Sequence, residues 1–159
     1  MANLFTAAEI IDMGIAKEKK RRDFYGYAAD KFKNKDMKDL FSRLRDWEEE
    51  HIRKFTAIRE STQTYEVSES YQGEFGAYMK FVVDDILYKQ VSAEWFASNV
   101  KNEITAIQYG IGFEKDAILF FTELAKYMMS PHKEKVEELI GEEKKHLICL
   151  SELKKKYEK

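Results

Sequence analysis

The sequence contains little cysteine and proline, and it has no long apolar run. Because Cys149 is the only cysteine, an intramolecular disulfide and a CxxC site for zinc or iron are excluded. A chain without disulfides fits a reducing compartment. The sequence has no N-terminal apolar segment and no stretch of about 18 apolar residues, which argues against export and against a membrane span. We therefore expect a cytoplasmic protein that has no membrane partner.

A large charge of one sign is also absent. The formal net charge is -2, so no chain-wide basic field favours binding to nucleic acid. The short basic run Lys19-Lys20-Arg21-Arg22 is typical of a partly solvated helix face.

The residues that are abundant favour helices. Charged residues make up 35% of the chain and hydrophobic residues 44%, and there are only seven glycines. This composition is typical of long helices with salt bridges on their surface. A length of 159 residues is enough for a sizeable core without disulfides or structural zinc. The composition therefore predicts an all-α protein with a single domain over residues 1–159.

Apolar residues at helical spacing predict a first helix from Thr6 to about Phe32, which begins at the capping box Thr6-Ala-Ala-Glu9. A second helix is predicted from a cap at Asp36 to about Glu60. Because only a few residues connect them, we expect these two helices to form an antiparallel hairpin.

The second half of the chain predicts another hairpin. Residues 61–73 have the composition of a loop, and a short helix is predicted over about 74–89. A third helix follows from Ala93 to Met128, and Ser130-Pro131 begins a fourth that ends near Lys156. Two antiparallel helix pairs joined by a long crossover that contains a short helix form a four-helix bundle.

The two halves repeat one pattern of glutamate and histidine. Glu18 is followed 30 positions later by Glu48-x-x-His51, and Glu114 is followed 29 positions later by Glu143-x-x-His146. The repeat also pairs Gly14 with Gly110, each of which lies four positions before the aligned glutamate. Helical glycines indicate a close helix crossing, although a ligand's approach would also explain them.

The six glutamates and histidines interrupt apolar stripes. Residues three apart share a helix face, so each Glu-x-x-His pair points in one direction, and apolar residues flank it on that face. Buried carboxylates are costly and repel each other, so something must neutralise them, and two metal cations would do so. One Glu from each of two helices and Glu-x-x-His from each of the other two is the ligand set of dinuclear carboxylate bundles. The pattern thus predicts two metal ions bound by Glu18, Glu48, His51, Glu114, Glu143 and His146.

Two alternatives need no metal: a charged surface with accidental spacing, and a buried hydrogen-bond network of Glu and His. Other charged residues fall on other faces and are predicted to be solvated: Glu49, Glu50, Glu142, Lys144 and Lys145. His132 is predicted to be exposed, and Cys149 to be a small hydrophobic residue at the border of the core. Trp47, Trp95 and Phe96 are predicted to pack at the end of the bundle or at a subunit interface.

These motifs resemble the rubrerythrin-like branch of the ferritin-like diiron superfamily over essentially the whole chain. The motifs are Glu18-Lys-Lys-Arg-Arg-Asp-Phe-Tyr25 and Glu114-Lys-Asp-Ala-Ile-Leu-Phe-Phe121, each followed by its Glu-x-x-His. The resemblance implies a ferritin-like four-helix bundle whose iron ligands are the six residues above, with Glu48 and Glu143 bridging the metals. It also implies that Tyr25 donates a hydrogen bond to a ligand carboxylate, although a buried tyrosine needs such a partner in any fold.

Three positions depart from the family pattern. Ala117 stands where rubrerythrins carry a further glutamate, Phe121 is the counterpart of Tyr25, and Arg21 stands where relatives have a small residue. Arg21 is expected to narrow the site or to pair with a carboxylate. Since no rubredoxin-like cysteine site follows the bundle in this sequence, an external electron-donor protein is expected as a partner.

The resemblance favours an oxidoreductase that reduces hydrogen peroxide or dioxygen at two iron ions, in a protein that forms a homodimer. Manganese also suits a carboxylate-rich site with two imidazoles. A ferroxidase that stores or transfers iron is one alternative, and an interaction bundle stabilised by metal without catalysis is another.

Overall fold

The structure is a computed structural model that describes residues 7–61, 78 and 90–158. In these ranges the chain forms four long helices and a short one, without a strand, which confirms the all-α prediction. They are α1 (Ala7–Lys31), α2 (Lys35–Ser61), α3 (Ala93–Asn99), α4 (Glu103–Tyr127) and α5 (His132–Tyr157). None of these helices is both long enough and apolar enough to cross a membrane.

The first two helices form the predicted antiparallel hairpin. Arg59 near the end of α2 pairs with Asp12 near the start of α1, at 2.9 Å. Close to the turn, Lys38 donates a hydrogen bond to the carbonyl of Ala29. Helix α2 begins at Lys35, so Asp36 lies in its first turn and is not the predicted cap. Helices α4 and α5 pack against each other as the second hairpin.

The two hairpins associate through α1 against α4 and α2 against α5. Lys17 of α1 pairs with Asp116 of α4 at 2.8 Å. Lys17 contacts Asp116 and Tyr25 contacts Gly110, so α1 and α4 are antiparallel, and α2 and α4 run in the same direction. The predicted helix over about 74–89 lies outside the described residues, except for Tyr78. The described end of the connection between α2 and α4 contains α3, which the sequence had predicted as part of the third helix.

The predicted third helix is divided because two side chains cap two separate helices. Ser92 accepts a hydrogen bond from the backbone N–H of Trp95 and begins α3. Asn102 accepts one from the N–H of Thr105 and begins α4. Val100 between them is extended, so the prediction of one continuous helix from Ala93 was wrong. The last helix begins at His132, with Pro131 at the cap position.

The bundle core consists of two apolar clusters, one toward each end of the long helices. One contains Phe24, Phe41 and Phe113, and the other contains Phe55 and Phe120. The six predicted ligands lie between these clusters along all four long helices. Gly14 and Gly110 occur at close contacts, as predicted. A Cβ atom at Gly14 would lie 3.0 Å from Cε1 of Phe120, and one at Gly110 would lie 3.3 Å from Leu150.

Candidate metal centre

The four long helices bring all six predicted ligands into one buried layer. Helix α1 contributes Glu18 and α4 contributes Glu114, while α2 and α5 each contribute a Glu-x-x-His pair. None of the six residues is more than 4% exposed. A charged helix surface is therefore excluded. The buried arrangement follows from the sequence because each residue replaces an apolar one on a stripe that faces the core.

The six residues form two overlapping groups, each of which could hold a metal ion. Glu18 and His51 belong to one group, Glu114 and His146 belong to the other, and Glu48 and Glu143 belong to both. Within each group, one ligand atom from every residue lies within 4.8 Å of the others.

The two shared carboxylates each direct one oxygen toward each histidine. Oε1 of Glu143 lies 2.9 Å from Nδ1 of His51, and its Oε2 lies 3.0 Å from Nδ1 of His146. Glu48 does the same at 3.6 Å and 3.5 Å. This is the orientation that carboxylates bridging two cations require. Metal coordination itself remains a prediction.

Several buried polar atoms of the cluster have no hydrogen-bond partner, as a metal site requires. They are Oε2 of Glu18, both oxygens of Glu48, Oε2 of Glu114, Oε2 of Glu143 and Nδ1 of His146. A buried polar atom without a partner costs about 1–3 kcal/mol, and more if it is charged. The ligand types, burial and unsatisfied atoms therefore fit two cations with oxygen and nitrogen ligands.

The residues of the cluster differ in their protonation. Burial raises the pKa of Glu18 and of Glu114 well above the usual value, and neighbouring carboxylates raise it further. Burial and the charge of Glu48 oppose ionisation of Glu143, but the proximity of Glu114 and both histidines outweighs them and lowers its pKa to about 2. Burial would lower the pKa of His146, but the adjacent Glu114, Glu143 and Glu48 raise it to about 12. Protons thus supply positive charge in this layer when no metal is bound.

Tyr25 donates a hydrogen bond to one of the buried carboxylates, and its role beside a metal ligand remains a prediction. Its hydroxyl group donates a hydrogen bond of 2.5 Å to Oε1 of Glu114. Burial and the adjacent carboxylate raise the pKa of Tyr25 well above its usual value, so the hydroxyl keeps its proton. The hydrogen bond connects α1 to α4 and limits the rotation of the Glu114 side chain.

Arg21 enters the carboxylate layer. It is fully buried and donates a hydrogen bond to Glu18, while its guanidinium nitrogens lie 3.7 Å from Glu48 and 3.8 Å from Glu143. The expected pairing with a carboxylate is confirmed. The prediction of a solvated face for the run of residues 19–22 was wrong at this position.

Two residues beside the site were missed in the sequence. Nε2 of His51 donates a hydrogen bond of 2.7 Å to Glu142, which had been predicted to be solvated. The ring of Trp47 stacks on His146, with centroids 4.9 Å apart, where packing at the bundle end or a subunit interface had been predicted. Both residues directly precede an inward glutamate and are equivalent in the repeat. Their equivalence in the repeat is the sequence signal that could have indicated both residues, because Trp47 and Glu142 each contact the histidine of the other hairpin.

A cavity of about 420 Å³ opens beside the two histidines, between α2 and α5. Its lining includes Trp47, Lys54, Glu142 and Cys149 as well as both rings. The buried layer therefore borders, at its two histidines, a cavity that solvent can enter.

The remaining predictions had mixed outcomes. Lys144 and Lys145 are exposed, as predicted. His132 is half-buried and its Nε2 lies 2.9 Å from the hydroxyl of Ser61, so it has a partner that was not anticipated. Cys149 is half-buried and borders the core, as predicted. Phe96 packs edge-on against Phe24 in the core.

A bundle of four long helices with this set of buried carboxylates and imidazoles defines the ferritin-like class of dinuclear carboxylate proteins. The family model described as Rubrerythrin matches residues 9–154. The chain therefore belongs to the rubrerythrin family. The comparisons with curated proteins and with solved structures gave no match.

Proposed function

We propose that this protein binds two iron ions in the buried layer and reduces hydrogen peroxide or dioxygen. The observation that supports this most is the orientation of Glu48 and Glu143. Each shared carboxylate turns one oxygen toward each histidine, so the residues provide two adjacent positions for cations. Glu18 and His51 complete one position, and Glu114 and His146 complete the other.

When bound there, two ferrous ions supply two electrons, which together with two protons reduce one H2O2 to two water molecules or one O2 to H2O2. The protein's own contribution is to hold six ligands in a layer that the two apolar clusters shield from bulk water. Glu142 orients His51 through Nε2 so that Nδ1 faces the carboxylates. Tyr25 fixes Glu114 in the same way.

The cavity beside His51 and His146 supports the proposal that the substrate is a small oxidant. It borders both imidazole rings, and its volume of about 420 Å³ is ample for H2O2 or O2. The buried layer itself is closed by side chains that are almost fully buried. A large organic substrate would have to displace them, whereas a molecule of two oxygen atoms would not.

Repeated turnover requires a source of electrons, and we assign that role to an external electron-donor protein. The single cysteine of this chain cannot form a rubredoxin-like site. The homodimeric state and the cytoplasmic location remain predictions that accompany this proposal.

Anaerobic loading with Fe2+ followed by titration with H2O2 tests the proposal. We expect about two ferrous ions per chain and the oxidation of both by one equivalent of peroxide. Glu48→Ala and Glu143→Ala remove a shared ligand and should abolish stoichiometric binding. Asp46→Ala is the matched control, since Asp46 is exposed, lies two positions before Glu48 and does not line the cavity. If neither peroxide nor O2 oxidises the reduced protein, the proposal is wrong.

The same experiment distinguishes the alternatives. Many more than two irons per chain, held in a large assembly, would indicate storage. Loading with Mn2+ in preference to Fe2+ would assign the site to manganese. An increase in melting temperature upon metal binding, without any oxidation by peroxide or O2, would indicate a metal that serves stability alone.

A further inference from the structure

The two halves of the bundle differ at a pair of linked positions beside the candidate ligands. The repeat aligns Tyr25 with Phe121 and Arg21 with Ala117. In one half, the hydroxyl group of Tyr25 donates a hydrogen bond to Glu114. Phe121, the repeat equivalent of Tyr25, has no hydroxyl group to donate.

Arg21 supplies the missing donor. Its guanidinium group lies over the ring of Phe121, 5.9 Å from the ring centre, and donates a hydrogen bond to Glu18. Ala117, the equivalent residue in the other half, is too short to reach a carboxylate. Glu114 and Glu18 each belong to only one metal group. Glu114 therefore accepts a hydrogen bond from a neutral donor, whereas Glu18 accepts one from a charged donor.

The two donors have different electrostatic effects on a cation. The tyrosine hydroxyl orients Glu114 without adding charge, whereas an arginine side chain carries a permanent positive charge. Arg21 is fully buried, so solvent screens its charge little. Its guanidinium group also lies within 3.8 Å of both shared carboxylates. A cation in the group of Glu18 and His51 is therefore repelled by Arg21 and competes with it for Glu18.

We propose that Arg21 makes the two metal positions unequal, so that the position of Glu114 and His146 binds a divalent cation more tightly and is filled first. This inference depends on the proposed function, because it presumes that the layer binds metal. It concerns only the order and the relative affinity of the two positions, and it assigns to Arg21 the role of setting them.

Equilibrium titration with Co2+ or Mn2+ in the absence of oxidant tests this inference without any measurement of activity. We expect two binding phases whose dissociation constants differ by about tenfold or more. Arg21→Ala, which reproduces the residue of the other half, should strengthen the weaker phase and bring the two constants together. Arg21→Lys keeps the charge and should keep the phases separate. Arg22→Ala is the matched control, because Arg22 pairs with Glu49 at the surface, and it should change neither constant by more than about twofold.

Two further variants assign the phases without altering Arg21. Glu18→Gln should remove the weaker phase and leave the tighter one, while Glu114→Gln should remove the tighter one. Circular dichroism of each variant shows whether it retains the helical fold. Equal affinities in the unaltered protein, or the reverse assignment of the phases, would overturn this inference and leave the proposed function intact. The absence of any metal binding would overturn both.

Discussion

The carboxylate of Glu142 lies 2.7 Å from Nε2 of His51, so a residue of the second hairpin holds a candidate ligand of the first. The repeat-equivalent contact joins Trp47 of the first hairpin to His146 of the second, with the rings stacked at an interplanar angle of 7°. Each hairpin thus fixes the histidine of the other. One contact is a charge-assisted hydrogen bond and the other is an aromatic stack, so the two ligands are oriented by different forces.

The hydrogen bond between His51 and Glu142 should affect the affinity of the site for metal ions. Glu142→Ala should weaken binding of Co2+ by about 10- to 100-fold at the position that contains His51, because the ring loses the partner that fixes its orientation. Glu142→Gln keeps an acceptor oxygen and should have a smaller effect. Glu138→Ala, on the exposed face one turn earlier, is the control for lost surface charge. Equal affinities for Glu142→Ala and Glu138→Ala would contradict this role.

Tyr25→Phe should lower both stability and metal affinity. It removes the hydroxyl group that donates to Glu114 and leaves a second oxygen of that buried carboxylate without a donor. The expected decrease in the free energy of unfolding is about 1–3 kcal/mol, measured by urea denaturation of the metal-free protein. Tyr109→Phe, at a half-buried position that packs on Phe24, is the matched control. Equal stabilities of the two variants would show that the hydrogen bond contributes nothing.

The close contact at Gly14 predicts a difference between two Gly→Ala substitutions. A Cβ atom at Gly14 would lie 3.0 Å from the buried ring of Phe120, whereas one at Gly112 would meet nothing within 4 Å. Gly112→Ala should stabilise the protein by about 0.5–1 kcal/mol through higher helix propensity. Gly14→Ala should destabilise it, by about 1–3 kcal/mol, because the core must shift. Thermal denaturation of both variants measures the difference in stability. Stabilisation by Gly14→Ala would contradict the close contact between Gly14 and Phe120.

The protonated histidines predict how the stability of the metal-free protein depends on pH. The pKa of His146 rises from 6.5 to about 12 on folding, so its contribution is complete below pH 6.5 and is lost as the pH rises toward 12. The raised pKa values of Glu18 and Glu114 act in the same direction. Glu143, whose pKa is lowered to about 2, stays ionised in both states throughout this window.

Urea denaturation in the presence of a chelator should therefore give a lower free energy of unfolding at pH 9 than at pH 6.5. Bound metal replaces these protons, so the metal-loaded protein should change less over the same interval. A metal-free protein that is more stable at pH 9 would show that the histidines are not held in the protonated form.

Periodicity and capping predicted the long helices well, because apolar stripes and short turns act locally. The prediction that α4 begins near Ala93 was wrong, since the side chain of Asn102 begins a new helix within a continuous apolar pattern. The six candidate ligands were predicted correctly as a buried set because each interrupts an apolar stripe. Glu142 was misassigned because its helix face is polar, and only the packing of α2 against α5 places it beside His51.

The sequence by itself determined the helices, their pairing into hairpins and the duplicated Glu and His pattern, because these depend on residue spacing along one helix or on a short connection. The tertiary structure decided which particular partner each carboxylate and imidazole meets. Tyr25 contacts Glu114 across 89 positions, and His51 contacts Glu142 across 91. Arg21 turns inward to Glu18 although its neighbours form a basic run that is otherwise typical of a surface. The contacts of Tyr25 and His51 depend on how the two hairpins pack, and spacing along a single helix carries no information about them. Arg21 and Glu18 lie three positions apart on one helix, so spacing brings them together and packing decides that they face inward.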